Sequence, residues 1–297
     1  MNPVAKRTLT GLLVGVGIIA LFLYCPLHGI LPIVLALSTL AQLEFYQLAK
    51  RYEPITWAGL LAGGALVATA GLLGFSRGLF IMALAFVPAL LAVFLSLCLL
   101  ALFNARYAHP LGTIAVTLLG VLYVPLLLSF FLLTAQITGH GFLEPDAWTS
   151  RTGLYTLLAL VATAKFSDTG GFAFGLAFGR HKMCPSISPK KSWEGLVGSM
   201  AFAAATAAIF LGLARHFNWA ADLPAWNHLT YPLAAGSGAA LALVATAGDL
   251  IESRFKREVG VKDSATFMPA GMGGFLDMLD SALFIPAIAY PLILAAS

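Results

Sequence analysis

Nine apolar runs follow one another along the chain, near residues 8–27, 30–49, 55–75, 79–103, 111–134, 154–178, 196–214, 229–247 and 275–296, with polar or Gly/Pro-containing breaks between them. Each is long enough to cross a hydrocarbon core of about 30 Å as a helix. The pattern predicts an all-α integral membrane protein, a polytopic bundle of about nine transmembrane helices. Breaks among the first five runs are so short that those helices are expected to be antiparallel neighbours. The first run follows Lys6 and Arg7; it exceeds a signal-peptide core and lacks a small-x-small cleavage site, so it is read as a retained anchor.

Basic residues set the orientation, because Lys and Arg in short loops stay on the cytoplasmic side. With the N-terminus cytoplasmic, 13 of them fall inside (Lys6, Arg7, Lys50, Arg51, Arg106, Arg180, Lys182, Lys190, Lys191, Arg254, Lys256, Arg257 and Lys262), 3 fall outside (Arg77, Arg151 and Arg215), and Lys165 lies within a span. Two regions are expected: five membrane helices over 1–134, and a catalytic membrane region over 135–297 with four spans and cytoplasmic loops at 179–195 and 248–274. Residues 1–134 hold only two acids, Glu44 and Glu53, so the chemistry is expected in the second half.

Composition agrees. Charged residues are 10% of 297 and hydrophobic ones 60%, where a soluble domain carries about 25% charged residues. The net charge of +4 is modest and scattered, which argues against nucleic acid as a partner. Cys25, Cys98 and Cys184 have neither a disulfide framework nor a metal-ligand spacing, and His181 with Cys184 does not close a zinc site.

Three polar constellations interrupt this apolar background. Lys165-Phe-Ser167-Asp168-Thr169-Gly170-Gly171 puts an acid and a base inside a span, where ionisable groups usually line a cavity; the plainer alternative is an i,i+3 pair that locks helices. Gly179-Arg180-His181-Lys182 with Ser186-Ile-Ser188-Pro189-Lys190-Lys191-Ser192-Trp193-Glu194-Gly195 is a basic, small-residue loop suited to phosphate, or merely a positive-inside loop on lipid headgroups. The third runs from Gly248 through Asp249, Glu252, Ser253, Lys256, Arg257, Lys262 and Asp263 to Pro269, Gly273-Gly274, Asp277 and Asp280. Asp277 and Asp280, three apart at a helix start, share one face, and two such carboxylates call for a cation, Mg2+ by preference. Gly273-Gly274 would leave free N–H groups there for an anion. The alternative is pairing of these acids with Lys256, Arg257 or Lys262. Acids, bases and a Gly-rich turn at one membrane face are the parts of metal-assisted phosphoryl or nucleotidyl transfer to a lipid.

Ser253-x-x-Lys256-Arg257, Lys262-Asp263, Pro269, Gly273-Gly274, Asp277 and Asp280, preceded by Gly248-Asp249-Leu250 and Glu252, resemble the C-terminal signature of the integral-membrane phosphatidate cytidylyltransferases, or CDP-diacylglycerol synthases. Asp168-Thr169-Gly170 and Ser188-Pro189-Lys190-Lys191-Ser192-Trp193-Glu194-Gly195 are similar to that family's other two signatures. The departures are Met272 and Met278, which stand where the family usually has His before Gly-Gly and Arg after the first Asp, and a Pro269–Gly273 spacing one residue longer. These mark a divergent subgroup.

The resemblance implies that CTP and phosphatidic acid give CDP-diacylglycerol and pyrophosphate, in a homodimer in the bacterial cytoplasmic (inner) membrane with its active site facing the cytoplasm. It assigns Mg2+ to Asp168, Asp249, Asp277 and Asp280, with room for a second, monovalent ion such as K+. Asp249, Asp277, Asp280 and Lys262 become the catalytic candidates. Ser188, Lys190, Lys191, Ser192, Lys256, Arg257, Gly273 and Gly274 become the substrate-binding ones. A CTP-dependent kinase of polyprenol or phytol, a cation-coupled transporter and a non-catalytic scaffold are the rival readings.

Overall fold

The computed structural model describes residues 27–73, 78–103, 109–137, 152–219, 223–261, 264 and 274–296. The first apolar run, together with Lys262, Asp263, Pro269, Met272 and Gly273, lies outside them. The remaining eight runs coincide with helices. In chain order these are α1 (Leu27–Leu48), α2 (Thr56–Leu73), α3 (Gly78–Phe103), α4 (Pro110–Val121), α5 (Leu127–Ala135), α6 (Thr152–Phe178), α7 (Trp193–Phe217), the short α8 (Pro224–His228), α9 (Tyr231–Glu258) and α10 (Phe275–Ala296). Five stretches among the described residues are long and apolar enough to cross a membrane: 29–48, 110–135, 193–217, 231–258 and 275–296.

α4 and α5 form one continuous rod through a π-helical turn, Leu122–Leu126, which contains Pro125. Proline has no N–H to give and its ring crowds the carbonyl one turn back, so the ladder widens locally. The all-α expectation holds, with one small addition: β1 (Lys182–Cys184) and β2 (Ser188–Ser192) pair antiparallel within the basic loop. One boundary needs correcting. Residues 248–258, expected to open a cytoplasmic loop, are the last turns of α9. Their carboxylates and lysines recur at intervals of three and four, so a polar face simply prolongs an apolar helix.

The core is built from α1, α2, α4–α6, α9 and α10, with Ile30, Phe45, Val67, Val124, Leu132, Leu157, Leu276 and Leu283 all buried. Outward positions carry large apolar side chains, such as Leu111 on α4 and Phe172 and Leu176 on α6, as a lipid-facing surface requires. Since lipid removes the hydrophobic drive between helices, close contact depends on small residues and internal hydrogen bonds. On the N-terminal side Gln42 donates to the Tyr46 hydroxyl (3.0 Å) and to Gly59 O (2.9 Å), and Tyr46 donates to Thr117 O (2.8 Å). α6 and α7 meet backbone to backbone: a Cβ at Gly198 would lie 2.6 Å from Gly170 O, and one at Gly170 would lie 2.5 Å from Gly198 O.

Gly198→Leu is therefore expected to lower stability by about 1–3 kcal/mol through overpacking, read as an earlier transition on denaturant titration in detergent. Gly236→Ala, on an open face of α9 with nothing within 4 Å of the added Cβ, should be neutral or stabilising by up to about 1 kcal/mol.

Candidate active site

The polar positions of α6, α9 and α10 converge where the hairpin leans on the bundle. Gly248 makes this possible, because a Cβ there would meet Asp280 O at 2.7 Å; without one, α10 settles against α9 beside Asp249. Asp280 then lies in the fields of Asp249, Asp168 and Lys165. Asp168 is tied to α10 by Ser281 Oγ, which donates to its Oδ2 at 2.7 Å. Lys165 donates to Met278 O (3.0 Å) and Ser281 Oγ (3.3 Å), and its own distance to Asp168 is a long 3.9 Å. The pair thus grips α10 more than it neutralises itself.

The hairpin contributes through side-chain alternation. Lys191 points inward to Asp249 Oδ2 (2.8 Å) and Thr246 O (3.1 Å), while Lys190, next to it in β2, is exposed. Ser192 is buried and caps α7, its Oγ accepting from Gly195 N at 3.1 Å. Capping is thus one task of this serine. Ser188 is half-buried in β2. His181 Nδ1 lies 2.6 Å from Glu194 Oε1, and the Trp193 amide donates to His181 O at 3.0 Å. His181 therefore fastens the hairpin to the start of α7. Arg257 also binds main chain, Nε to Ile187 O (3.2 Å) and an Nη to Val261 O (3.2 Å).

A second group sits one turn further along α9. Lys256 Nζ is 3.2 Å from Glu252 Oε1 and 2.6 Å from Asp277 Oδ1, with side-chain exposures of 12%, 0% and 16% for Lys256, Glu252 and Asp277. Neither Glu252 oxygen has a hydrogen-bond partner among the described residues, so the Lys256 ammonium is the charge that faces it. Asp277 Oδ2 accepts from Gly274 N (2.7 Å) and Ser264 N (3.2 Å), and Glu44 Oε2 accepts from Leu276 N (2.9 Å).

These contacts bring three corrections. The Gly274 and Leu276 amides at the start of α10 are occupied by the protein's own carboxylates, so the expected anion seat at Gly274 is filled from within. Asp277 and Asp280, though three apart, have different partners: Asp277 serves the Lys256 triad and Asp280 the Asp168–Asp249 group. The first half of the chain does reach the site, through Glu44. A Cβ on Gly274 would lie 2.4 Å from Glu44 Oε2, so the glycine is what lets that carboxylate in. A buried acid in an early apolar helix was the available signal for Glu44. Tyr123, in the π turn, was missed as well; its ring packs against Phe45, Phe255 and Phe284. Its hydroxyl is buried without a hydrogen-bond partner among the described residues, within the fields of Glu252, Asp280 and Asp249.

Five carboxylates (Asp168, Asp249, Glu252, Asp277 and Asp280) therefore meet three ammonium groups (Lys165, Lys191 and Lys256). An excess of acids in a poorly hydrated place favours a bound cation or shared protons. The donors are carboxylate and hydroxyl oxygens, the type that hard cations take. No three His, Cys, Asp or Glu among the described residues form a metal-holding group by themselves. Mg2+ usually binds through one or two carboxylates and completes its shell with water and phosphate, so this donor set is compatible with it.

The chain matches the model of a cytidylyltransferase family over residues 5–295. It is 37% identical over 139 residues to a phosphatidate cytidylyltransferase of Haemophilus influenzae, covering 46% of either chain. Against the phosphatidate cytidylyltransferase of Mycobacterium bovis it is 34% identical over 176 residues, 58% of this chain and 48% of that one. Against that of Chlamydia muridarum it is 33% identical over 187 residues, 62% and 56%. The chain spans about half the length of the curated relatives it matches.

Replacing Lys256 by Met should strand two buried carboxylates and cost about 3 kcal/mol or more. Adding Glu252→Gln should restore much of that stability without restoring turnover. A double-mutant cycle on unfolding in detergent, run beside an activity assay, measures both.

Proposed function

We propose that this chain, which belongs to the cytidylyltransferase family, transfers the cytidylyl group of CTP to phosphatidic acid, giving CDP-diacylglycerol and pyrophosphate. The observation that carries the reading is the meeting, at one place, of three stretches far apart in sequence. Lys191 of the Ser-Pro-Lys-Lys-Ser-Trp strand touches Asp249 of α9, and Asp168 of α6 is joined through Ser281 to α10 beside Asp280.

In this reaction an oxygen of the lipid phosphate attacks the α-phosphorus of CTP, the bond to the β-phosphate breaks, and pyrophosphate carries the electron pair away. No protein nucleophile is needed. Positioning and neutralisation of charge are the protein's tasks, which suits a site of acids and lysines. Lys191, Lys190 and Lys262 are assigned to the phosphates of the two substrates, and Lys191 exchanges its Asp249 contact for a phosphate oxygen on binding. Asp168, Asp249 and Asp280 are the residues that would hold Mg2+, with Asp277 bordering them. An ion held by these carboxylates would supply positive charge against the triphosphate and the leaving group. Lys256 and Glu44 fix the start of α10 and with it the direction of Asp280.

The nine-span count, the cytoplasmic N-terminus and a site facing the cytoplasm of a bacterial inner membrane belong to the same reading. The supporting observation is that the exposed basic hairpin and the polar end of α9 lie on one side of the bundle. A homodimer, and a monovalent ion such as K+ beside Mg2+, are part of the proposal too.

The test is purified protein with radiolabelled CTP, dioleoyl phosphatidic acid and Mg2+. CDP-lipid and pyrophosphate should form, and Asp249→Asn and Asp280→Asn should each lower kcat by about 100-fold or more. Chelation of divalent cations should stop turnover, and their return restore it. Release of CDP in place of pyrophosphate would identify a lipid kinase and overturn the assignment.

A further inference from the structure

On the far side of the acid cluster the same three helices, joined by α7 and α8, border a half-open cavity of about 290 Å3 lined by residues that include Leu160, Thr163, Phe210, Trp226, Val244 and Ile288. Its walls are almost wholly apolar, and α8 covers one end, where Trp226 Nε1 donates to Thr156 Oγ1 at 3.1 Å. Along each helix the lining residue nearest the acid is Thr163 before Asp168 on α6, Val244 before Asp249 on α9, and Ile288 after Asp280 on α10.

Helical rise gives the depths. Asp168 is 16 residues from the start of α6 at Thr152, Asp249 is 18 from Tyr231, and Asp280 is 16 from Ala296. At about 1.5 Å per residue the three acids stand roughly 24–27 Å from the far ends of their helices. In a hydrocarbon core of about 30 Å, that is close to one polar boundary. The cavity begins about 8–12 Å deeper than the acids, five residues away on α6 and α9 and eight on α10, and runs toward the opposite boundary. One leaflet's acyl chains extend about 15 Å from their own boundary, so a lipid whose phosphate is at the acid cluster brings the outer part of its chain to the cavity's level. The few hydroxyls on its walls are taken up by main chain, Thr156 donating to Thr152 O, Thr163 to Ala159 O and Ser237 to Ala234 O, and an apolar void forfeits the dispersion contacts that a methylene chain restores.

We propose that this cavity receives an acyl chain of the phosphatidic acid whose phosphate is held at the Lys191–Asp249–Asp168 cluster, which makes it the subsite that senses acyl-chain length. The inference rests on the reaction proposed above and adds where the lipid's tail goes. Ala240 and Ser237 line the cavity and are exposed in it, so larger side chains fill it without displacing packed neighbours. Leu243, on the same helix, is exposed and outside it.

The test compares dioctanoyl and dioleoyl phosphatidic acid in mixed micelles for the wild type, Ala240→Phe, Ser237→Leu and Leu243→Phe. The cavity variants should lose about tenfold in kcat/KM for the dioleoyl lipid, the value of roughly two buried methylenes. They should stay within about twofold of wild type for the dioctanoyl lipid, and Leu243→Phe should leave both unchanged. Equal losses on the two lipids, or no loss on the long one, overturn the proposal. A parallel experiment does not depend on turnover: phosphatidic acid with a diazirine near the end of one chain is photolysed in vesicles of phosphatidylcholine with the full chain. Labelling of peptides containing Trp226 or Phe210 supports the subsite even if CTP is never consumed, which would instead dismiss the cytidylyl reading. Labelling confined to the outward-facing Phe172 and Leu176 overturns the subsite.

Discussion

Lys256 stands between Glu252 and Asp277, one ammonium shared by two carboxylates that are almost fully withdrawn from water. Each charge alone would be costly there, and removal of any one leaves the others uncompensated. The triad therefore fixes how the polar end of α9 meets the first turn of α10. Every other contact of the site is measured from that junction. Asp277, held by Lys256, takes up the Gly274 and Ser264 amides, and Asp280 is consequently carried to the side where Asp249 and Asp168 lie.

Around this junction the protein uses absence of side chain as a tool. Gly248 lets α10 approach α9, Gly274 admits the Glu44 carboxylate, and Gly170 with Gly198 lets α6 and α7 touch along their backbones. In lipid, where apolar side chains gain little by leaving one apolar neighbour for another, such approaches decide which helices pair. The hairpin of β1 and β2 is the one described element off the helical plan, and its period-two alternation is what sends Lys191 inward and Lys190 outward.

Much of the frame was legible in the sequence. Long apolar runs have one stable form in lipid, so eight of the nine predicted segments coincide with helices, and the ninth lies outside the described residues. The motifs that carry charge could be recognised as a set because charge inside apolar sequence is rare. The partners within the set were not legible. Period and spacing put Asp277 and Asp280 on one face, but only three-dimensional packing divides them between two groups. That Ser192 caps α7 was not legible either, because capping serines and phosphate-binding serines have the same sequence context. The end of α9 was misplaced because a falling hydropathy was taken for the end of a helix, whereas a helix leaving the membrane needs no change of backbone. Glu44 was set aside for the company it keeps in a run of apolar residues.

Glu44 has a consequence for how such a protein is made. Its carboxylate is fully buried and accepts from the Leu276 amide, 232 residues later in the chain. During synthesis α1 is made long before α10, and it carries this acid in its last turn, four residues from Leu48. α10 is the helix whose backbone answers the acid on α1. Docking of α10 on α1 and assembly of the site are thus the same event, and the site takes shape only when helices from the two halves of the sequence have met.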